Sequence, residues 1–109
     1  NGYETQSIDN ISPDEFVNIM NEIKILDVRN EEEINSSSLN NSIKIPLKTL
    51  ENNLNKLNQN NKYYIHCAGG YRSMIACSIL KRNGFNSPID VTGGFSAIRN
   101  SNFEILIDG

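Results

Sequence analysis

A chain of 109 residues can bury one hydrophobic core but not two, so it is read as a single domain over 1–109 with its core in about 8–100. Its 38% hydrophobic and 21% charged content is that of an ordinary globular protein, and a net charge of −3 gives no electrostatic reason to bind nucleic acid or an anionic membrane. No apolar run approaches the ~18–20 residues of a membrane span, and the first residues carry neither a basic region nor an apolar targeting region. The absence of an initiator Met leads us to expect a domain excised from a longer protein.

In chain order, Ser12-Pro13-Asp14-Glu15 is a helix start, with a Ser cap, Pro at the first helical position and Glu at the third. Phe16, Ile19 and Met20 then supply its apolar face. Residues 23–28 read as a buried strand, 30–34 as a short acidic helical turn and 43–45 as a short strand. Pro46 opens a helix carrying Leu47, Leu50, Leu54 and Leu57. That spacing runs through the Asn-rich stretch 52–61, which is therefore a solvated surface rather than a prion-like tract. A strand over 62–66 and a helix over 73–82 follow, the helix stopped by Asn83-Gly84. A strand over 88–91 and a helix over 95–100 complete the alternation. The tail Phe103-Glu104-Ile105-Leu106-Ile107 alternates weakly and is expected to add an edge strand. Strands alternating with helices imply right-handed crossovers, hence an α/β, three-layer domain whose mostly parallel five-stranded sheet has helices on both faces.

Ligands of such sheets bind beyond the carboxyl ends of the strands. Cys67 lies there, after a strand and before a glycine-bearing loop and a helix start. A helix N-terminus and converging backbone N–H groups favour an anion, so the thiol is expected to ionise below its free value of ~8.5. Gly69 and Gly70 can take positive φ and let the backbone curl around the sulfur. Cys67 and Cys77 are ten residues apart, one at the helix start and one in its third turn, too far to bridge. Two such thiols suit a reducing, cytoplasmic compartment.

The segment Cys67-Ala68-Gly69-Gly70-Tyr71-Arg72-Ser73 resembles the active-site loop of the rhodanese domain, commonly Cys-x-x-Gly-x-Arg-Ser. Ile25-Leu26-Asp27-Val28-Arg29 with Glu33 after it, Ile43-Lys44-Ile45-Pro46, and Asp90-Val91-Thr92-Gly93-Gly94-Phe95 resemble further marks of that family in the expected order. The family's usual Gly-His-Ile-x-Gly-Ala stretch reads Ser37-Ser38-Leu39-Asn40-Asn41-Ser42 here, and a common Trp is Ile98. The resemblance implies a sulfurtransferase with Cys67 as nucleophile and Ala68, Gly69, Gly70, Tyr71, Arg72 and Ser73 as the substrate-binding loop. A sulfane sulfur would pass from thiosulfate or a low-molecular-weight persulfide to cyanide or a thiol through a Cys67 persulfide. No metal or organic cofactor is implied. The loop wording also resembles rhodanese domains at the C-terminus of metallo-β-lactamase-fold hydrolases, including persulfide dioxygenase fusions, which implies such a fused partner domain.

Asp27 reads equally as an anchor of Arg72 through a bidentate pair and as a simple strand-end cap. Arg29 and Glu33 are close enough in sequence to pair across the following turn. His66 should face away from the Cys67 sulfur, because strand neighbours point to opposite faces. Cys77 reads as core, and Gly93-Gly94 as a tight turn or a wall of the site. A non-catalytic binding module is one alternative. The other is a cysteine phosphatase or arsenate reductase, whose His-Cys-x5-Arg motif needs one residue more than separates Cys67 from Arg72.

Overall fold

The computed structural model describes residues 8–101 and the backbone of Ile107–Asp108. Strand β1 (Asp9–Ile11) leads to helix α1 (Pro13–Ile19), where the Ser12 Oγ accepts the Glu15 N–H at 3.2 Å as the sequence anticipates. A 3-10 turn over Met20–Glu22 delivers β2 (Lys24–Asp27). Helix α2 (Glu31–Ser36) opens on a complete capping box, Asn30 accepting from the Glu33 N–H while the Glu33 carboxylate accepts from the Asn30 N–H. Then come β3 (Ser38–Leu39), β4 (Ser42–Lys44), a 3-10 segment over Leu47–Lys56, β5 (Tyr63–His66), α3 (Arg72–Arg82), β6 (Ile89–Val91), α4 (Gly94–Asn100) and β7 (Ile107–Asp108).

Five strands form one parallel sheet in the order β1-β6-β5-β2-β4, so β5 is central and hands Cys67 to the middle of the sheet's carboxyl edge. Side chains alternate across it. Leu26, Ile65 and Cys67 share a core with Ala76, Cys77 and Leu80 of α3 and Leu50 of the 3-10 segment. Ile25 and Val91 face the other way, packing with Phe16 of α1 and Phe95 and Ile98 of α4. Among the described residues no helix is long and apolar enough to cross a membrane.

Three elements differ from the sequence reading. The leucine-bearing segment is a 3-10 helix broken at Asn53 (φ −123°, ψ 15°), whose Nδ2 donates to the Thr49 carbonyl at 2.8 Å. Its leucines already carry the reason. Leu47 and Leu50, then Leu54 and Leu57, are spaced by three, the 3-10 repeat, and the one spacing of four spans the break. The fifth strand of the main sheet is β1, not the tail. Of the tail, 103–106 lie outside the described residues, and Ile107–Asp108 pairs antiparallel with Ser38–Leu39 in a separate two-stranded sheet. The atypical stretch 37–42 is tied at both ends, the Ser37 carbonyl accepting from Arg29 at 2.8 Å and Asn41 donating to the Met20 carbonyl at 2.8 Å.

Candidate active site

Cys67 emerges from β5 almost fully buried, at 1% exposure. The chain turns back at Gly70, whose φ of +101° only glycine adopts freely and where a Cβ would lie 3.2 Å from the Gly93 nitrogen. This turn brings the Gly70 N–H to 3.1 Å from the Cys67 Sγ, and the first turn of α3 brings the Ser73 N–H to 3.3 Å. Gly69 does not use the freedom that Gly70 uses. It does not take positive φ, and a Cβ there would meet nothing within 4 Å, so Gly70 alone needs to be glycine on backbone grounds.

The loop's carbonyls are held from outside. The Phe95 N–H donates to the Cys67 carbonyl at 2.7 Å and the Ser96 N–H to that of Ala68 at 3.1 Å, using the unpaired donors that open α4. Gly93 (φ +81°) and Gly94 (φ +63°) make this approach possible, since a Cβ at Gly94 would stand 2.5 Å from the Cys67 oxygen and 2.7 Å from that of Ala68. The Gly-Gly turn is therefore a tight turn that clamps the cysteine loop, and the N–H groups it frees hold carbonyls rather than wall the cradle.

The expected ion pairs are exchanged. Arg72 does not meet Asp27. Its guanidinium forms a two-point pair with Glu33, at 2.8 and 3.0 Å, with both side chains 31% exposed. Asp27 accepts instead from the Nε and Nη2 of Arg29 and from its backbone N–H, so the expected Arg29–Glu33 pair is absent. Alternation along β2 explains the exchange. Asp27 shares the face of Ile25 and Phe95, where Arg29 lies over the Phe95 ring at 4.1 Å, whereas Arg72 opens the helix on the opposite face. The pair with Arg72 holds the Glu33 carboxyl down at about 2, and Glu33 in turn raises Arg72.

His66 points away from the sulfur as anticipated, stacked on Phe95 with ring centroids 5.7 Å apart. Its Nδ1 lies 3.3 Å from the Cys67 carbonyl. Its Nε2 is buried, lacks a hydrogen-bond partner and sits 3.7 Å from the Asp27 carboxylate. Burial pushes the imidazole below its ordinary value against the pull of Asp27. Cys77 is a fully buried free thiol, and burial pushes it far up, as befits a core residue.

Two features escape a reading of the sequence. Asp90 carries a carboxylate inside a buried strand, where it accepts the Ser73 hydroxyl, and the Ser73 Oγ also lies 3.5 Å from the Cys67 Sγ. The signal was an acid flanked by Ile89 and Val91 in an otherwise apolar strand. Beside the loop lies a cleft of about 270 Å³ lined by Val28, Asn30, Pro46, Leu47, Lys48 and Arg72. Tyr71 (77% exposed), Met74 and Ile75 are exposed apolar side chains at the start of α3. The arrangement gathers two backbone N–H donors on one buried sulfur, with the loop's sole cation already paired.

Comparison with known proteins shows the family and the fold. The family model described as a rhodanese-like domain matches residues 12–101. The crystal structure of a rhodanese-like domain protein from Staphylococcus aureus is 37% identical, covers 91% of this chain and 99% of its own, and superposes with a TM-score of 0.80. Reduced CoADR-RHD from Bacillus anthracis is 29% identical with a TM-score of 0.75, covering 84% of this chain and 16% of its own. A curated relative in Bacillus subtilis, "Putative sulfur carrier protein YrkF", is 39% identical over 72 residues. Those residues are 66% of this chain and 39% of that relative, so the chain spans about two fifths of its length.

Proposed function

The chain belongs to the rhodanese-like domain family, and from that membership we propose a sulfurtransferase that carries sulfane sulfur as a persulfide on Cys67. The Cys67 thiolate attacks the outer sulfur of a donor R–S–SH. The S–S bond of the donor breaks, its thiolate leaves with the persulfide proton as R–SH, and the outer sulfur stays on Cys67 as a persulfide anion. A second nucleophile, cyanide or a thiolate, then attacks that outer sulfur and releases Cys67 as thiolate. This is double-displacement covalent catalysis. The observation that carries the reading is the pair of N–H groups, from Gly70 and Ser73, aimed at one buried sulfur.

The same site favours an organic persulfide over thiosulfate as donor. Ala68, Gly69, Gly70 and Tyr71 are uncharged, and Arg72 is neutralised by Glu33, so a thiosulfate dianion gains little. The mostly apolar cleft beside Arg72 suits the organic part of a small persulfide. The B. subtilis relative named as a sulfur carrier is in keeping with this. A phosphatase is disfavoured by a loop one residue short and by an arginine engaged outside the cradle. A purely binding role gives no reason for two N–H bonds to a cysteine sulfur. Two unpaired buried thiols suit a cytoplasmic setting. The loop's wording further implies a metallo-β-lactamase-fold neighbour that would produce or consume the persulfide, which the full-length gene product tests.

Mass spectrometry tests the central claim. Incubation with a sulfane donor should add about 32 Da to the Cys67 peptide, an adduct removed by cyanide and absent from Cys67→Ser. No adduct on a reduced, alkylatable Cys67 would overturn the sulfurtransferase reading. A thiosulfate KM well below that for glutathione persulfide would overturn the donor preference alone.

A further inference from the structure

Ser73 stands between two groups that can each hold a proton. Its hydroxyl donates to the Asp90 Oδ1, and its oxygen lies within reach of the Cys67 Sγ, at 3.5 Å. All three residues are secluded, Ser73 fully, Cys67 at 1% and Asp90 at 6% exposure. A serine hydroxyl both donates and accepts, so it can reverse the direction of a hydrogen-bond chain by rotating one bond. We propose that Cys67 and Asp90 share a single proton through the Ser73 hydroxyl, which makes Asp90 a positioning residue for the nucleophile. This rests on Cys67 being that nucleophile.

Two arrangements carry the same charge. In one, the Cys67 S–H donates to Ser73 and Ser73 donates to the Asp90 carboxylate. In the other, the protonated Asp90 donates to Ser73 and Ser73 donates to the Cys67 thiolate. Passing from the first to the second breaks the S–H bond and the Ser73 O–H bond and forms a new O–H bond on each of Ser73 and Asp90. One proton moves from sulfur to carboxylate, no electrons change hands, and the net charge of the trio stays at one negative. Loading then begins from the second arrangement. When the acceptor removes the outer sulfur, the departing Cys67 thiolate takes the proton back from Asp90 through Ser73. A buried cysteine thus becomes a nucleophile without sending a proton to solvent.

The surroundings of Asp90 suit this exchange. Burial raises its carboxyl from its ordinary value, with the Ser73 hydroxyl pulling the other way. From α3 it is faced by Ser73 and the Cys77 thiol, with Lys81 a turn beyond Cys77. Its strand neighbours are Asn10 on β1 and Ile65 on β5, neither of them titratable. His66, Asp27 and Arg29 belong to the other face of the sheet.

Alkylation of Cys67 by iodoacetamide, followed on its peptide from about pH 4 to pH 10, reads the coupling directly. The wild-type rate should rise in two ionisations separated by a plateau, because the pair loses its first and second protons separately. Asp90→Asn and Ser73→Ala should each leave one ionisation, the rate below it falling about tenfold per pH unit, while Ser73→Thr keeps both. A single ionisation in the wild type, or two in Ser73→Ala, would overturn the proposal. Should Asp90→Asn fail to fold by circular dichroism, Ser73→Ala decides alone. No sulfur donor enters this measurement, so a missing persulfide adduct refutes the sulfurtransferase reading independently of it.

Discussion

Glu33 closes the capping box of α2 with the same carboxylate that grips Arg72, so one side chain joins the helix after β2 to the loop after β5. Its carboxyl is lowered from 4.5 to about 2, and the unfolded chain therefore binds more protons than the folded one between those values. The stability it contributes is complete above its ordinary value and is lost as the pH falls from 4.5 towards 2. Glu33→Gln keeps a capping side chain and should cost at most about 1 kcal/mol near neutrality, since the pair is partly exposed and screened. Urea unfolding should find that difference vanishing in acid, and a difference that persists there would assign the effect to shape instead of charge. Cys77→Ala, in the core, should lower stability by roughly 1 kcal/mol and leave sulfur transfer nearly unchanged, as paired urea and turnover measurements would establish. A large loss of turnover in a folded variant would instead give Cys77 a chemical part. At this scale the sequence located the cysteine and its loop and, in one of its two readings, Asp27 as a cap of the strand end, but it misassigned the ion-pair partners of Arg29 and Arg72. Adjacency along the chain suggested Arg29 with Glu33, whereas the pleat sends Asp27 and Arg29 to one face and leaves Glu33 for an arginine 39 residues later.

At the scale of elements, the clamp of α4 on the cysteine loop is the junction most sensitive to change. Gly94→Ala would place a Cβ against two backbone oxygens at a φ of +63°, and neither obstacle can swing aside. The expected cost is about 2 kcal/mol or more, read as a lower thermal midpoint, with sulfur transfer falling further than stability does because the cradle itself is displaced. A variant of unchanged midpoint would mean that the clamp has another geometry in solution. The helices flanking the sheet were legible because caps announce them, Ser12 and Pro13 for α1 and Gly84 (φ +86°) beyond the end of α3. β1 was not, since Asp9–Ile11 is a three-residue edge strand with a single apolar side chain and no alternation to read. The 3-10 character of Leu47–Lys56 was written in the spacing of its leucines but reads as an ordinary helix when only the run of apolar residues is followed.

Across the whole molecule, position in the sheet ranks the strands. β5 is paired on both sides and covered on both faces, whereas β1 and β4 are edges. Hydrogen exchange should therefore be slowest at amides such as Ile65, which open only with global unfolding, and faster at Asn10 and Ile43. Uniform protection across the five strands would contradict this ranking. The central strand is also the one that ends in Cys67, so the most firmly held part of the backbone supports the sulfur. The bonds from α4 to the carbonyls of Cys67 and Ala68 carry that rigidity past the strand's end. The peptide planes of the Cys67 and Ala68 carbonyls are thereby fixed at the root of the loop, and the turn at Gly70 and the start of α3 set the two N–H groups on the sulfur when the chain folds and not when a reaction begins. In water, charge arriving on a sulfur must wait for solvent molecules to turn. In the sulfur transfer proposed for Cys67, those N–H groups would already be turned, and the reorganisation that adds to a barrier would be completed beforehand by the fold.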